Sequence, residues 1–317
     1  MLMRRICLSL GLISLCVLTA RAQQDQALQT RLSALAAAHH GKVALFAEDL
    51  TAGKTVALNA DTPVQTASVI KLTVLYDALE QIREGRVHFE DRLTLTHGDQ
   101  VEGSGALMFL DTPLQLTFKD ALTLMIILSD NTATNLAIDH LGLKNIDDQI
   151  VALGLRNTWL YKKVFSPPVG PMPADQKVFG LGKTTPREMA SVMERFVKCD
   201  LNPPGDAKGD AKPATAQDQA LCDAAMHMLK SQFDRNSIPR YLETQDTSLG
   251  VSAVANKTGS LDATRNDVGA VFTKHGPILI SEFTYENQDK SWTPDNEGEV
   301  LMAKMAREIV DAWAGGQ

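Results

Sequence analysis

The sequence predicts an α+β fold: an antiparallel five-stranded sheet flanked by terminal helices, with an all-helical lobe inserted between its two halves. Three observations carry this. Five strand-like runs fall into two groups, residues 42–50 and 54–59 near the start and residues 251–257, 267–274 and 278–285 near the end. The stretch between the groups has mainly helical periodicity. Each end adds one further helical run, residues 26–40 and 299–314. Strands from both ends of a chain commonly share one sheet covered by the terminal helices. Residues 23–60 and 246–317 then form the α/β part and residues 61–245 the helical lobe, with a cleft between them.

Composition narrows the class. Of 317 residues 44% are hydrophobic, 22% charged and 5% aromatic, enough for one large domain or two interleaved ones. The net charge of −7, with no basic stretch long enough to track phosphates, argues against a nucleic-acid partner. The chain opens with Arg4 and Arg5, an apolar run over residues 6–18 and the small-residue site Ala20-Arg21-Ala22. These are the three parts of a cleavable secretory signal peptide spanning residues 1–22, so a secreted or periplasmic location is expected. The apolar run falls short of the roughly 20 residues that span a bilayer, and no later run reaches it. No membrane span is expected in the mature chain.

Cys7 and Cys16 leave with the signal peptide, while Cys199 and Cys222 remain. In an oxidising compartment that pair either closes a disulfide, contributing roughly 3 kcal/mol by loop-closure entropy, or stays as two free thiols. Two cysteines without clustered histidines make no metal site, and no cofactor is expected.

Taken in order, residues 42–50 and 54–59 are joined by Thr51-Ala52-Gly53 as a hairpin turn. From residue 67 to about residue 82 apolar side chains fall on nearly every face, as in a helix buried at the middle of its domain. Further helical runs cover 118–128, 133–141, 145–153, 186–198 and 220–233. Met189, Met193 and Phe196 recur at helical spacing as core. Residues 201–217, rich in Pro, Gly, Ala, Asp and Lys, read as a solvated insertion. Residues 166–183 carry four prolines and several glycines and read as a long loop, which inside a compact domain is functional or disordered. Gly103-Ser104-Gly105 reads as a loop at the cleft edge.

Three short motifs bear chemistry. In Ser68-Val69-Ile70-Lys71 the serine and lysine lie on one helical face, so the amine can approach the hydroxyl. A desolvated lysine with other cations nearby is neutral enough to take a serine proton. The backbone N–H of Ser68, at a helix start, can bind a developing oxyanion. Ser129-Asp130-Asn131 lies where one helical run ends and another begins, so Ser129 can relay a proton to a leaving nitrogen. Asn131 can bind an acyl amide or fix Lys71. Lys257-Thr258-Gly259 opens the late hairpin, where Gly259 lets a substrate backbone lie close. Lys257, Thr258, Ser260 and Arg265 form a carboxylate-binding set. Each motif alone is weak, since Ser-Asp-Asn is also a good helix cap and Lys-Thr-Gly an ordinary turn. Their conjunction, in this order and with the first on a buried helix, is what signals function.

This trio resembles that of class A β-lactamases and penicillin-binding proteins. The 61-residue step from Ser68 to Ser129, the segment from Thr184 to Ala190 and Asn266-Asp267 after the Lys-Thr-Gly strand fit the likeness, which covers nearly the whole mature chain. The resemblance implies a β-lactamase-like fold, Ser68 as nucleophile and an oxyanion hole made by the N–H groups of Ser68 and Ser260. One element of the family pattern is missing. Class A enzymes carry a Glu-x-x-Leu-Asn motif in the Ω-loop, whose glutamate activates the deacylating water. Residues 166–183 contain no glutamate, and Asp175 is their only carboxylate.

The expected function is therefore an active-site-serine acyl-transfer hydrolase, forming an acyl-enzyme with β-lactams or related carboxylate-bearing amides. Its partner would be a small-molecule β-lactam or a peptidoglycan stem peptide, and it would act as a monomer. The alternatives are a D,D-carboxypeptidase-like peptidoglycan enzyme or a penicillin-binding sensor that does not turn over.

Overall fold

The computed structural model describes residues 23–202, 214–242, 245–246 and 251–315. The expected signal peptide and most of the expected insertion at 201–217 lie outside the described residues.

The main sheet consists of β1 (Lys42–Asp49), β2 (Lys54–Leu58), β3 (Val254–Leu261), β4 (Thr264–Thr273) and β5 (Gly276–Tyr285). Its order is β2-β1-β5-β4-β3, antiparallel throughout, and Gln23–Gln24 adds a two-residue parallel stub beyond β2. The first and last strands of the chain meet at β1 and β5, as strands at both chain ends predict. The late strands start and stop a few residues from their expected bounds. Both faces of this sheet are covered, so β4 is apolar or buried at nearly every position and gives no alternation to mark its ends.

The faces serve two cores. Leu45, Val254, Val271 and Ile280 pack beneath the terminal helices α1 (Gln26–Ala37) and, at the far end of the chain, Glu297–Ala314. Asp25 joins these helices. It caps α1 by accepting from the Leu28 amide at 3.0 Å, and it accepts from the Trp313 indole at 3.1 Å. His39 and His40 stand past the end of α1 at Ala37 and approach Glu297, so they do not close the helix as its periodicity suggested.

The opposite face, through Ala255, Val268, Ala270 and Phe283, joins the inserted lobe. There α2 (Lys71–Arg83) is buried along nearly its whole length, ringed by α3 (Phe118–Ile127), α4 (Asn131–Leu141), α5 (Leu143–Ala152), α6 (Pro186–Lys198) and α7 (Ala216–Lys230). α6 has the expected bounds because its ends are chemically marked. Thr185 caps it, Pro186 occupies the first turn, and Cys199 closes it in the left-handed region at φ 50°. Met189, Met193 and Phe196 are buried.

The lobe also holds two small sheets. One pairs Arg92–Leu95 with Leu114–Thr117; the other joins Val64–Gln65, Gly182–Thr184 and Trp159–Leu160. These strands are two to four residues long, too short for a period-two pattern to show. No helix among the described residues is long and apolar enough to cross a membrane.

Cys199 and Cys222 form a disulfide between the end of α6 and the first half of α7, with Cα atoms 5.6 Å apart and 23 residues separating them. A loop of that length contributes roughly 3 kcal/mol through the unfolded state. Replacing both cysteines by alanine is expected to lower the urea unfolding free energy by about that amount and to steepen the slope, since the unbridged unfolded chain exposes more surface. An unchanged midpoint would show that the bridge adds nothing.

Candidate active site

Ser68 sits in a 3-10 turn, Ala67–Ile70, that leads directly into α2. The turn is clamped from two sides. The Asn266 side-chain amide on β4 donates to the carbonyls of Gln65 at 2.9 Å and Thr66 at 3.1 Å, and the Thr66 amide donates to the Gly182 carbonyl at 3.0 Å. The edge strand β3 lies hard against the turn. A Cβ on Gly259 would stand 2.8 Å from the Ser68 nitrogen and 2.9 Å from the Val69 nitrogen. Gly259 is therefore required by the protein's own backbone, a constraint distinct from the room for a substrate backbone expected of it. Ala67, just before the nucleophile position, has φ 44°, and Ser129 has φ 54°. Such left-handed backbone is costly for residues with a side chain and tends to occur at functional sites.

Lys71 is fully buried at the base of the cleft. Its Nζ donates to the Ser129 carbonyl at 2.7 Å and Asn131 Oδ1 at 3.0 Å, and lies 3.1 Å from Ser129 Oγ. Burial, followed by the like charge of Lys257, holds the Lys71 ammonium well below its ordinary value, with Asp130 pulling the other way. No hydrogen bond joins Lys71 to Ser68 among the described residues. The motif's i, i+3 spacing brings both to the cleft, but the direct proton partner of the amine in this unliganded site is Ser129. Such catalytic contacts characteristically tighten only when substrate binds.

Asp130 caps α4 and is fully buried. It accepts from the amides of Ala106 at 2.7 Å, Leu107 at 2.9 Å and Ala133 at 2.8 Å. Gly105, at φ 112°, makes this possible, since a Cβ there would stand 2.2 Å from the Asp130 carboxyl carbon. The Asn131 amide donates to the Ser104 carbonyl at 3.0 Å and its side chain to the Glu102 carbonyl at 3.1 Å. The Gly103-Ser104-Gly105 segment is thus the cleft-edge loop its composition suggested, wrapped around the second motif.

Lys257 on β3 is also fully buried, and its Nζ donates to the Thr258 carbonyl at 2.7 Å. Burial lowers its pKa to about 8 against the raising influence of Asp234 and Asp267. Thr258, Gly259 and Ser260 follow along the strand and line the cleft. Arg265 does not join them. It pairs with Ser260 across the β3–β4 hairpin, but its guanidinium is 1% exposed and donates to the carbonyls of Leu261, Thr264 and Ser291. It lies 4.7 Å from the Trp292 ring centroid and 3.3 Å from Glu299. Its donors hold the segment carrying Trp292, so Arg265 is removed from the expected carboxylate-binding set.

Two adjoining cavities, of about 630 and 370 Å³, meet at Ser68, Ser104, Ser260 and Trp292. The larger runs under the loop expected at residues 166–183. Here the structure corrects which residues matter: the wall is made by Lys162, Val164, Phe165, Phe179, Gly180 and Leu181, so it begins upstream of the proline-rich run. Val164 is pinned by a reciprocal pair with Asn135. Its amide donates to Asn135 Oδ1 at 2.8 Å, and Asn135 Nδ2 donates to its carbonyl at 3.0 Å. Asp175 faces elsewhere. It accepts from Tyr161 Oη at 2.9 Å and from Lys183 Nζ at 2.6 Å, which hold its carboxyl below the usual range. The smaller cavity is lined by Ser129, Thr258 and Ser260 together with Asp234 and Glu299. Sequence reading singled out neither of these carboxylates, nor Trp292 or Val164, because nothing local marks them. They reach the cleft from loops and helix starts far apart in the chain.

The geometry agrees with what the chain is similar to. A family model described as a β-lactamase enzyme family matches residues 27–313. No curated protein matches. Among solved structures, a β-lactamase from Sphaerobacter thermophilus has 28% identity and a TM-score of 0.74, covering 91% of this chain and 97% of its own. A mutant of PBP-A in an acyl-enzyme complex with penicillin G has 22% identity and a TM-score of 0.73, covering 92% and 98%. A β-lactamase from Chitinophaga pinensis has 19% identity and a TM-score of 0.70, covering 90% and 99%.

The packing at Gly259 yields a direct test. Gly259→Ala forces β3 and the Ser68 turn apart at a backbone contact, for which overpacking costs typically 1–3 kcal/mol, about 2–5 °C in Tm for a chain of this size. A melting temperature equal to that of the unmodified protein would mean that the close approach does not constrain the site.

Proposed function

The chain belongs to the β-lactamase enzyme family, and from that premise we propose that it is a serine hydrolase acylated on Ser68 by β-lactams and related carboxylate-bearing amides, releasing penicilloyl groups slowly. The carrying observation is the cavity shared by Ser68 and a loop wall of Val164, Phe165 and Leu181, with no carboxylate contributed by residues 162–181.

In the proposed reaction the Ser68 hydroxyl attacks the substrate carbonyl. Lys71, whose ammonium form burial and the like charge of Lys257 disfavour, takes the proton. The N–H groups of Ser68 and Ser260 receive the developing oxyanion. The proton then passes from Lys71 through the Ser129 hydroxyl, 3.1 Å away, to the leaving nitrogen. Asn131 orients Lys71 and meets the acyl amide. The charge of Lys257 and the hydroxyls of Thr258 and Ser260 hold the substrate carboxylate. The weak step is the second one. Hydrolysis of the ester needs a base facing it across the cavity, and the loop wall offers Lys162, Val164, Phe165, Phe179 and Leu181 but no carboxylate, while Asp262 lines the same cavity from the β3–β4 turn. That favours a peptidoglycan stem peptide as natural substrate, with penicillin as a trap. The acyl-enzyme that the PBP-A mutant forms with penicillin G supports the same chemistry on the same fold. A secreted or periplasmic site of action fits both the substrate and the Cys199–Cys222 disulfide.

The test is intact-mass measurement over time with excess benzylpenicillin. A persistent penicilloyl adduct is expected on the unmodified chain and none on Ser68→Ala. Val164→Glu, which puts a carboxylate on the cavity wall, is expected to shorten the adduct lifetime roughly a hundredfold, and Val164→Gln is expected to leave it long. Rapid clearance by the unmodified chain would overturn slow release, and absence of any adduct would overturn acylation.

The pH dependence follows from Lys257. Its folded pKa is about 8, so it is charged below that value and neutral above it. The second-order constant for acylation by the benzylpenicillin anion is therefore expected to fall as pH rises through about 8. A profile that stays flat to about pH 9.5 would remove Lys257 from carboxylate binding.

A further inference from the structure

We propose that the smaller cavity selects substrates whose leaving half is an amino acid carrying a second, positively charged amino group beside its carboxylate. This rests on the proposed acylation at Ser68 and names the substrate class for it.

The cavity holds Ser129, the residue nearest the buried amine, so it lies on the side from which a leaving nitrogen takes its proton. In that step the Ser68 Oγ–acyl bond forms, the C–N bond breaks, and the proton of Ser68 ends on the nitrogen. The amine half then departs, and water later cleaves the ester. Whatever this cavity recognises is therefore the departing half.

Its polar groups are of two kinds. The first are hydroxyls. Thr258 is only 6% exposed, lines the cavity and makes no side-chain hydrogen bond among the described residues, so its hydroxyl is available to a ligand there. With Ser129 and Ser260 it can donate to one carboxylate. The second kind are open acceptors. Asp234 accepts one hydrogen bond, from the Asn236 amide at 3.2 Å. Glu299 has one oxygen 3.3 Å from Arg265 Nε and the other buried without a partner. Burial, and then the like charge of Asp234, push Glu299 up to about 7, so the two carboxylates stand close enough to repel.

The surrounding cations relieve this only in part, Arg265 at one Glu299 oxygen and Lys257 through the field it shares with Asp234. Lys257 is fully buried on the Thr258 carbonyl, Arg265 is fully buried with its donors on three carbonyls, and Arg240 pairs with Asp295 and the Pro294 carbonyl at the rim. A ligand carboxylate held by Lys257 and the hydroxyls still has the carboxyl groups of Asp234 and Glu299 beside it. A ligand that adds an ammonium supplies the donors that Asp234 and Glu299 lack, through charge-assisted hydrogen bonds.

Binding of three peptides to the Ser68→Ala protein, which cannot be acylated, separates these cases by calorimetry. N-acetyl-D-alanyl-D-lysine is expected to bind about tenfold or more tightly than the D-alanyl-D-alanine analogue, and more tightly still than the D-alanyl-D-glutamate one. Adding Asp234→Asn, or separately Glu299→Gln, is expected to shrink the lysine preference severalfold. Equal affinities, a preference for D-glutamate, no binding by any of the three, or a preference untouched by both substitutions would overturn the proposal. Penicilloyl labelling of Ser68 in chains carrying either substitution alone reports their folding. In the unmodified chain it reports the acylation reading independently, so failure of one reading is distinguishable from failure of the other.

Discussion

A methyl group on residue 259 would collide with the nitrogens of Ser68 and Val69, and much of the site's arrangement depends on that missing methyl. The contact is where the sheet and the inserted lobe meet at the cleft. β3 contributes Lys257, Thr258 and Ser260, and the 3-10 turn contributes Ser68 and leads into the helix carrying Lys71. Backbone contact fixes these groups more tightly than side-chain contact would, because no rotamer can absorb a shift. Asn266 on the neighbouring strand adds two hydrogen bonds to the carbonyls before the turn, so β4 positions the nucleophile as well. The two cavities meet at Ser68 and Ser260 because those residues are the open ends of this seam.

The same seam sets the electrostatics. Lys71 and Lys257 come from opposite sides of it, both fully buried, and each cation disfavours another nearby. The conflict falls mainly on Lys71. Lys257 has Asp234 and Asp267 to sustain its charge, whereas Lys71 is sustained by Asp130, whose carboxylate is already bound by three backbone amides. In the proposed reaction this difference leaves Lys71 to serve as base and Lys257 as anchor. The assignment follows from which carboxylates lie near each amine.

The sequence made the frame legible and the walls illegible. Helix α6 could be bounded to the residue because Thr185, Pro186 and Cys199 mark its ends chemically, and α2 could be placed at the centre because it is apolar on every face. The three motifs could be found because each is a local string whose spacing implies a shared face. Arg265 was misjudged for the same reason. It is two residues from the hairpin turn and shares a face with Ser260, but its guanidinium is taken up by the carbonyls of Leu261, Thr264 and Ser291 against Trp292. Val164, Asp234, Trp292 and Glu299 carry no local signature, since each owes its position to long-range packing. Gly259 was recognised as a close-approach glycine, but only the tertiary structure says what approaches it.

These walls matter because acylation and deacylation make different demands on the fold. Acylation uses groups gathered along the seam, where Ser68, Lys71, Ser129 and Lys257 are held by backbone contact and burial. Deacylation depends on what faces the ester from across the larger cavity, and that surface belongs to a loop held by a few side-chain anchors, chiefly Asn135 on Val164 and Tyr161 and Lys183 on Asp175. The one carboxylate in the proline-rich run is an anchor of that kind, and moving it to the cavity would release two hydrogen bonds that shape the loop. A base is more readily gained at Val164, whose backbone is already fixed and whose side chain already lines the cavity, than by redirecting Asp175. In the proposed mechanism acyl-enzyme lifetime is then set by one side chain on a preformed wall, independently of the machinery that forms the acyl-enzyme.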